Sequence, residues 1–145
     1  MFKKFFRVVL GAALVLPCHL PVQADDTDYP LPFQNYLKQL AIESDWFREG
    51  LGKKHYHFLS YAPTGRLIAI SNKTCTNLKL GKPYETIKAS VEADSNSMFP
   101  TSVINKLGTS GISRFADVAI KSAVVNNCSE FSSSLPQLNY VLPED

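Results

Sequence analysis

The chain has 145 residues, of which 45% are hydrophobic and 19% charged, and its formal net charge is +2. That apolar share supports a packed core and excludes a wholly disordered chain, and the length suits one compact domain. A balance this close to neutral offers no concentrated basic face of the kind that binds nucleic acid.

Residues 1–24 read as a secretory signal peptide. Lys3, Lys4 and Arg7 make a basic start, Val8 to Leu16 is an almost unbroken apolar run, and Val22-Gln23-Ala24 supplies small residues for cleavage after Ala24. The run falls short of the roughly 20 residues that a permanent span needs, so no transmembrane anchor is expected after cleavage. Cys18 follows the apolar core as a lipidated cysteine would. Pro17, however, stands where lipoprotein leaders carry a small flexible residue, and Cys18 is expected to leave with the leader. Three of the fifteen Lys and Arg residues lie in this stretch and none of the thirteen Asp and Glu, so its removal turns the charge from +2 to −1. The basic balance therefore belongs to the leader.

The 121 residues that follow Ala24 hold only two cysteines, Cys75 and Cys128. In an exported chain, periplasmic or secreted, that arithmetic predicts one disulfide between them.

Residues 25–32 are acidic and proline-bearing and read as a flexible lead-in. A first helix is expected from near Pro32, where Phe33, Tyr36, Leu37, Leu40 and Ala41 recur at helical steps. Trp46, Phe47 and Leu51 extend the pattern toward Gly50 and Gly52. From Lys53 to Pro63 cations and aromatics mix, and this segment reads as a loop or short extended stretch. A second helix is expected over Thr64 to Leu80, with Leu67, Ile68, Ser71, Cys75 and Leu78 inward and Gly81 as its stop. A third should span about Pro83 to Ala93, ended by the turn-favouring run Asp94-Ser95-Asn96-Ser97. Pro100 opens a shorter segment with Val103, Ile104 and Leu107 on one edge before Gly108. The last helix is expected from Ser113, as N-cap, to Cys128; Val118, Ile120, Val124 and Val125 also favour strands, but the interleaved alanines and helical spacing decide for a helix. The serines and prolines after Cys128 predict a flexible or loosely docked tail over residues 129–145. The expected fold is all-α: a single domain, residues 33–128, built as a small bundle of four or five short helices stapled by one disulfide.

The order Cys75, Leu78, Gly81, Ile87, Val91, then Phe115, Val118, Ala119, Ala123 and Cys128, resembles the domain of unknown function 732, found in small exported bacterial proteins. The likeness covers about Leu67 to Cys128, with a weaker match at Phe33 to Leu40. Members commonly carry Pro after the second cysteine and an aromatic before it, where this chain has Ser129 and Asn127. The resemblance implies a bacterial source, helices and a cysteine pair; the family has no established activity and implies none here.

Candidate chemistry concentrates in Lys53, Lys54, His55, Tyr56, His57, Phe58 and Tyr61, read as an interaction loop. An extended backbone would point His55 and His57 to one side, but two imidazoles fall short of the three or four ligands of a zinc site, so no metal and no cofactor are expected. No Gly-x-Ser-x-Gly elbow, Cys-x-x-Cys pair or phosphate-cradling glycine loop occurs, and Glu85, Glu92 and Asp117 fall on helix faces where a solvated charge is the default. No catalytic residue is assigned. The expected function is that of an exported, non-enzymatic helical domain, a binding or envelope-interaction module whose partner is a protein or small ligand and not nucleic acid. The alternative is a metal-binding or small hydrolytic protein centred on His55 and His57.

Overall fold

A computed structural model of the chain describes residues 28–44 and 58–136. They form four α-helices: α1 (Leu31–Glu43), α2 (Thr64–Lys79), α3 (Tyr84–Met98) and α4 (Thr101–Asn127). Short 3-10 turns cover Phe58–Tyr61 and Ser129–Ser134. The described residues contain no strand. The fold is therefore all-α, and α1, α2 and α3 all pack against α4.

Each helix begins on the residue after a proline. Pro30, Pro63, Pro83 and Pro100 are the N-cap residues of α1 to α4, with φ between −53° and −61°, and none of the four caps uses a side-chain hydrogen bond. An N-cap residue contributes its carbonyl to the helix and not its N–H, so proline loses nothing there, and its ring already holds φ where the chain needs it. The Pro83 carbonyl accepts from the N–H groups of Thr86 and Ile87 at 3.0 and 3.2 Å, and the Pro100 carbonyl accepts from Val103 and Ile104 at 2.9 and 3.0 Å. The prolines thus stand one residue outside the helices that two of them were expected to open from within.

The second helix runs as its pattern predicts, and Leu67, Ile68, Ser71, Cys75 and Leu78 are all buried. Its end is a Schellman motif: Gly81, at φ +69°, donates its N–H to the Leu78 carbonyl at 2.9 Å, and Lys82 donates to Asn77 at 3.1 Å.

Four features differ from expectation. The third helix does not stop at Asp94 but continues to Met98. Ser95 lies on the same stripe as Ile87 and Val91 and donates its Oγ hydroxyl to the Val91 carbonyl at 2.6 Å, while Met98 and Phe99 are buried. Burying two such side chains is worth about 1.5–3 kcal/mol each, more than the few tenths per residue that Asp, Ser and Asn cost in a helix. The helix stops where Pro100 forces the preceding Phe99 to an extended ψ of 146°. Ser113 is likewise not an N-cap: it lies inside α4, whose path is broken only at Gly108. Finally, the expected loop ending at Pro63 contains a 3-10 turn at Phe58–Tyr61. Part of the expected flexible tail is a 3-10 turn too, and Phe131 and Leu135 pack there against the core.

The core centres on the second part of α4, where no residue from Gly111 to Val124 is exposed. Phe115 meets Phe99 edge to face, with ring centroids 5.4 Å apart. Tyr36, fully buried on α1, donates its hydroxyl to the Leu67 carbonyl on α2 at 3.1 Å. Lys121 pairs with Glu43 at 3.2 Å, and Asn126 donates to the Gln39 side chain at 2.6 Å, so α1 lies antiparallel along α4.

The predicted disulfide is present. Cys75 on α2 is bonded to Cys128 at the end of α4, their Cα atoms 5.9 Å apart, closing a loop of 53 residues. The chain-entropy relation assigns such a loop about 4 kcal/mol, a large part of the 5–15 kcal/mol typical of a small domain. Replacing both Cys75 and Cys128 by Ser is expected to lower the urea unfolding free energy by about 4 kcal/mol. An unchanged urea midpoint would show that the crosslink carries no such share.

Burial pushes the Tyr36 phenol well above its ordinary value of 10.0. A folded-state value above the unfolded one means that this contribution is intact below about pH 10 and is lost as pH rises past it. Unfolding free energy is therefore expected to fall above pH 10, with a shallower slope in Tyr36→Phe. Equal slopes in denaturant titrations of the two proteins would refute the assignment to Tyr36.

Candidate functional site

Helices α3 and α4 form an antiparallel hairpin linked by Phe99 and Pro100. At its open end Asp117 of α4 accepts a 2.6 Å hydrogen bond from the Tyr84 hydroxyl, and the Lys88 ammonium lies 2.8 and 2.9 Å from its two oxygens. Asp117 therefore departs from the solvated charge expected of it: it is largely buried, and it ties the two helices together. Toward the link, α4 breaks. Gly108 has φ +63° and ψ 179°, a conformation that side-chain-bearing residues avoid, so the helical path is interrupted between Leu107 and Thr109 and resumes at once. Gly111, one turn on, has a different reason to lack a side chain, because a Cβ there would lie 3.1 Å from that of Leu107.

The break opens a cleft of about 320 Å³ between the two helices. Glu92 and Asn96, one turn apart on α3, face Asn105 and Thr109, one turn apart on α4; Ile104 and Ile112 supply its apolar surface. The side chains of Glu92, Asn96, Asn105 and Thr109 make no hydrogen bond or ion pair with another described residue. A carboxylate, two amides and a hydroxyl are thus collected at one helix break, with Glu92 half-buried and Asn96, Asn105 and Thr109 exposed, so their bonding groups are open to solvent and to a ligand that displaces it.

A smaller cleft of about 190 Å³ between α2 and α3 makes the contrast. There Arg66 donates to the carbonyl and Oγ of Ser97 at 3.2 and 3.1 Å, and Lys73 pairs with Asp94 at 2.8 Å. Its polar groups satisfy one another. Their work is structural: they fasten the last turn of α3, the turn that the sequence was expected to end.

Of the expected interaction loop, Lys53, Lys54, His55, Tyr56 and His57 lie outside the described residues. Phe58 begins the first 3-10 turn and Tyr61 ends it, 43% exposed beside the buried Ala62. Among the described residues no three His, Cys, Asp or Glu side chains converge as metal ligands, and no helix is long and apolar enough to cross a membrane. Cys75 and Cys128 are joined to each other, so neither offers a free thiol. The cleft residues Glu92, Asn96, Asn105 and Thr109 were not singled out from the sequence as a site. The signal was present in two polar pairs at four-residue spacing around a glycine that interrupts a helical pattern, but only the antiparallel hairpin shows that the pairs face each other.

Comparison with protein-family models, curated proteins and solved structures finds no match to this chain.

Because the break depends on φ and not on space, Gly108→Ala separates the two causes. No atom lies within 4 Å of a Cβ built there, yet the left-handed backbone is expected to cost about 1–3 kcal/mol. The helical Gly65, whose Cβ would meet only the Tyr29 hydroxyl at 3.9 Å, is the control: Gly65→Ala should gain about 0.5–1 kcal/mol. Thermal or urea unfolding of both variants reads the difference, and equal effects would refute the strained break.

Proposed function

We propose that the chain is an exported, non-enzymatic helical domain that works by binding, and that the cleft at the α3–α4 break is where it binds. Export rests on the leader, with its basic start, apolar run and Ala24 exit, and is supported by a disulfide of the kind that persists in oxidising compartments. The order of cysteines, glycine and apolar residues shared with the domain of unknown function 732 is compatible with this reading but names no ligand.

The observation that carries the binding proposal is the gathering of four polar side chains, unpaired among the described residues, around a glycine-dependent break. Opposing apolar helix faces normally close on each other. Here they part at Gly108 and leave a concave, mixed surface.

The test uses the chain as cells release it. Material recovered from the periplasm or medium is expected to begin at Asp25. Titrated with small polar fragments and followed by amide NMR, it should show shifts concentrated at Asn96, Gly108 and Thr109. Recovery of the protein only with Met1 in place would overturn export, and shifts confined to α1 and α2, or none, would overturn the cleft as the binding site.

A further inference from the structure

The cleft has a definite charge character. Glu92 is the one ionised side chain that lines it, and no Lys, Arg or His does. The cation best placed on the same helix to neutralise Glu92 is Lys88, one turn earlier, and its ammonium is held by both oxygens of Asp117. The remaining polar lining consists of Asn96, Asn105 and Thr109, each of which offers an oxygen acceptor. Ile112 is buried and Ile104 half-buried, so apolar surface adjoins the polar groups.

From these observations, and resting on the binding reading above, we propose that the cleft takes a small aliphatic ammonium ion. An ammonium group carries three N–H donors and no acceptor, which suits a carboxylate with amide and hydroxyl oxygens around it. The attached methylenes lie against Ile104 and Ile112, where each buried CH₂ contributes about 0.8 kcal/mol. A volume of about 320 Å³ sits at the small end of ligand sites and matches a short chain better than a large ring system. Anionic ligands are disfavoured, since a phosphate or carboxylate would meet Glu92 with no counter-charge in the lining. A hard divalent ion is a poorer fit because it prefers six or more oxygens, several of them charged.

The same ammonium chemistry occurs in a free diamine and in a lysine side chain of a peptide, and the experiment separates them. The chain beginning at Asp25 is titrated by calorimetry and amide NMR with 1,5-diaminopentane, with Nα-acetyl-lysine N-methylamide, and with neutral 1,5-pentanediol. Saturable binding of one or both amines is expected, with shifts at Glu92, Asn96 and Thr109. Preference for the diamine assigns a free amine, and preference for the lysine derivative assigns a peptide side chain. Glu92→Gln, which removes the charge at constant shape, should weaken binding about tenfold while the melting curve is unchanged. Thr109→Val serves as a second variant with a smaller loss. The proposal is overturned if neither amine binds, if the diol or Ca²⁺ binds as well as the amines, or if Glu92→Gln binds like the parent. Should other fragments fill the cleft while the amines do not, the ammonium assignment falls and the binding reading stands; if nothing perturbs the cleft, both fall.

Discussion

Enclosure of α4 from Gly111 to Val124 is the constraint on which the other helices depend. Over that length only Ser113, Arg114, Asp117 and Lys121 are half-buried and the rest are buried, so this part of α4 is stable in water because α1, α2 and α3 pack around it. The sequence of α4 answers this demand by mixing sizes. Ala116, Ala119 and Ala123 share one face and let a neighbouring helix approach closely, whereas Phe115, Val118, Ile120 and Val124 fill the space between the others. The outer helices in turn need only one apolar stripe each. Ile87, Val91, Ser95 and Met98 form the buried stripe of α3, and polar side chains such as Lys88 and Asp94 make its further contacts.

The polar ties are distributed unevenly along α4. Its later part carries the disulfide at Cys128, the Asp117 cluster with Tyr84 and Lys88, and the contacts of Lys121 and Asn126 with α1. Partly exposed ion pairs contribute little on their own, but together with a crosslink worth about 4 kcal/mol they anchor that part firmly. The part before Gly108 is held chiefly by Val103, Leu107 and the adjoining Phe99. The cleft lies at this more lightly tied end. That division, with a clamped core and a binding surface beside a break, is the arrangement expected where rigidity and ligand access must coexist.

Most of the helical content could be read from the chain because apolar spacing and punctuation agreed. Leu67 to Leu78 repeat at helical steps and end at Gly81, and the structure follows them closely. The pairing of Cys75 with Cys128 was legible for a simpler reason, since the one other cysteine, Cys18, lies in the stretch read as a signal peptide. Misreadings arose where local preference and tertiary packing disagreed. Asp94 to Ser97 favour turns in isolation, yet Arg66, Lys73 and the burial of Met98 keep them helical. Ser113 looks like a cap, but the chain had already resumed its helix after Gly108. The cleft was hidden for a third reason. Its pairs belong to different helices, and no one-dimensional pattern reports which faces a folded hairpin brings together.

The four prolines at the helix starts have a consequence for how the gene can change. Because each start is set by a ring and a backbone carbonyl, without a side-chain cap, lengthening or shortening a linker displaces a whole helix as a unit and leaves its own phase intact. An insertion just ahead of Pro63 or Pro83 therefore leaves the helix that follows in phase. A codon gained or lost inside α4 has no such refuge, because it rotates the buried face by about 100° against three neighbours at once.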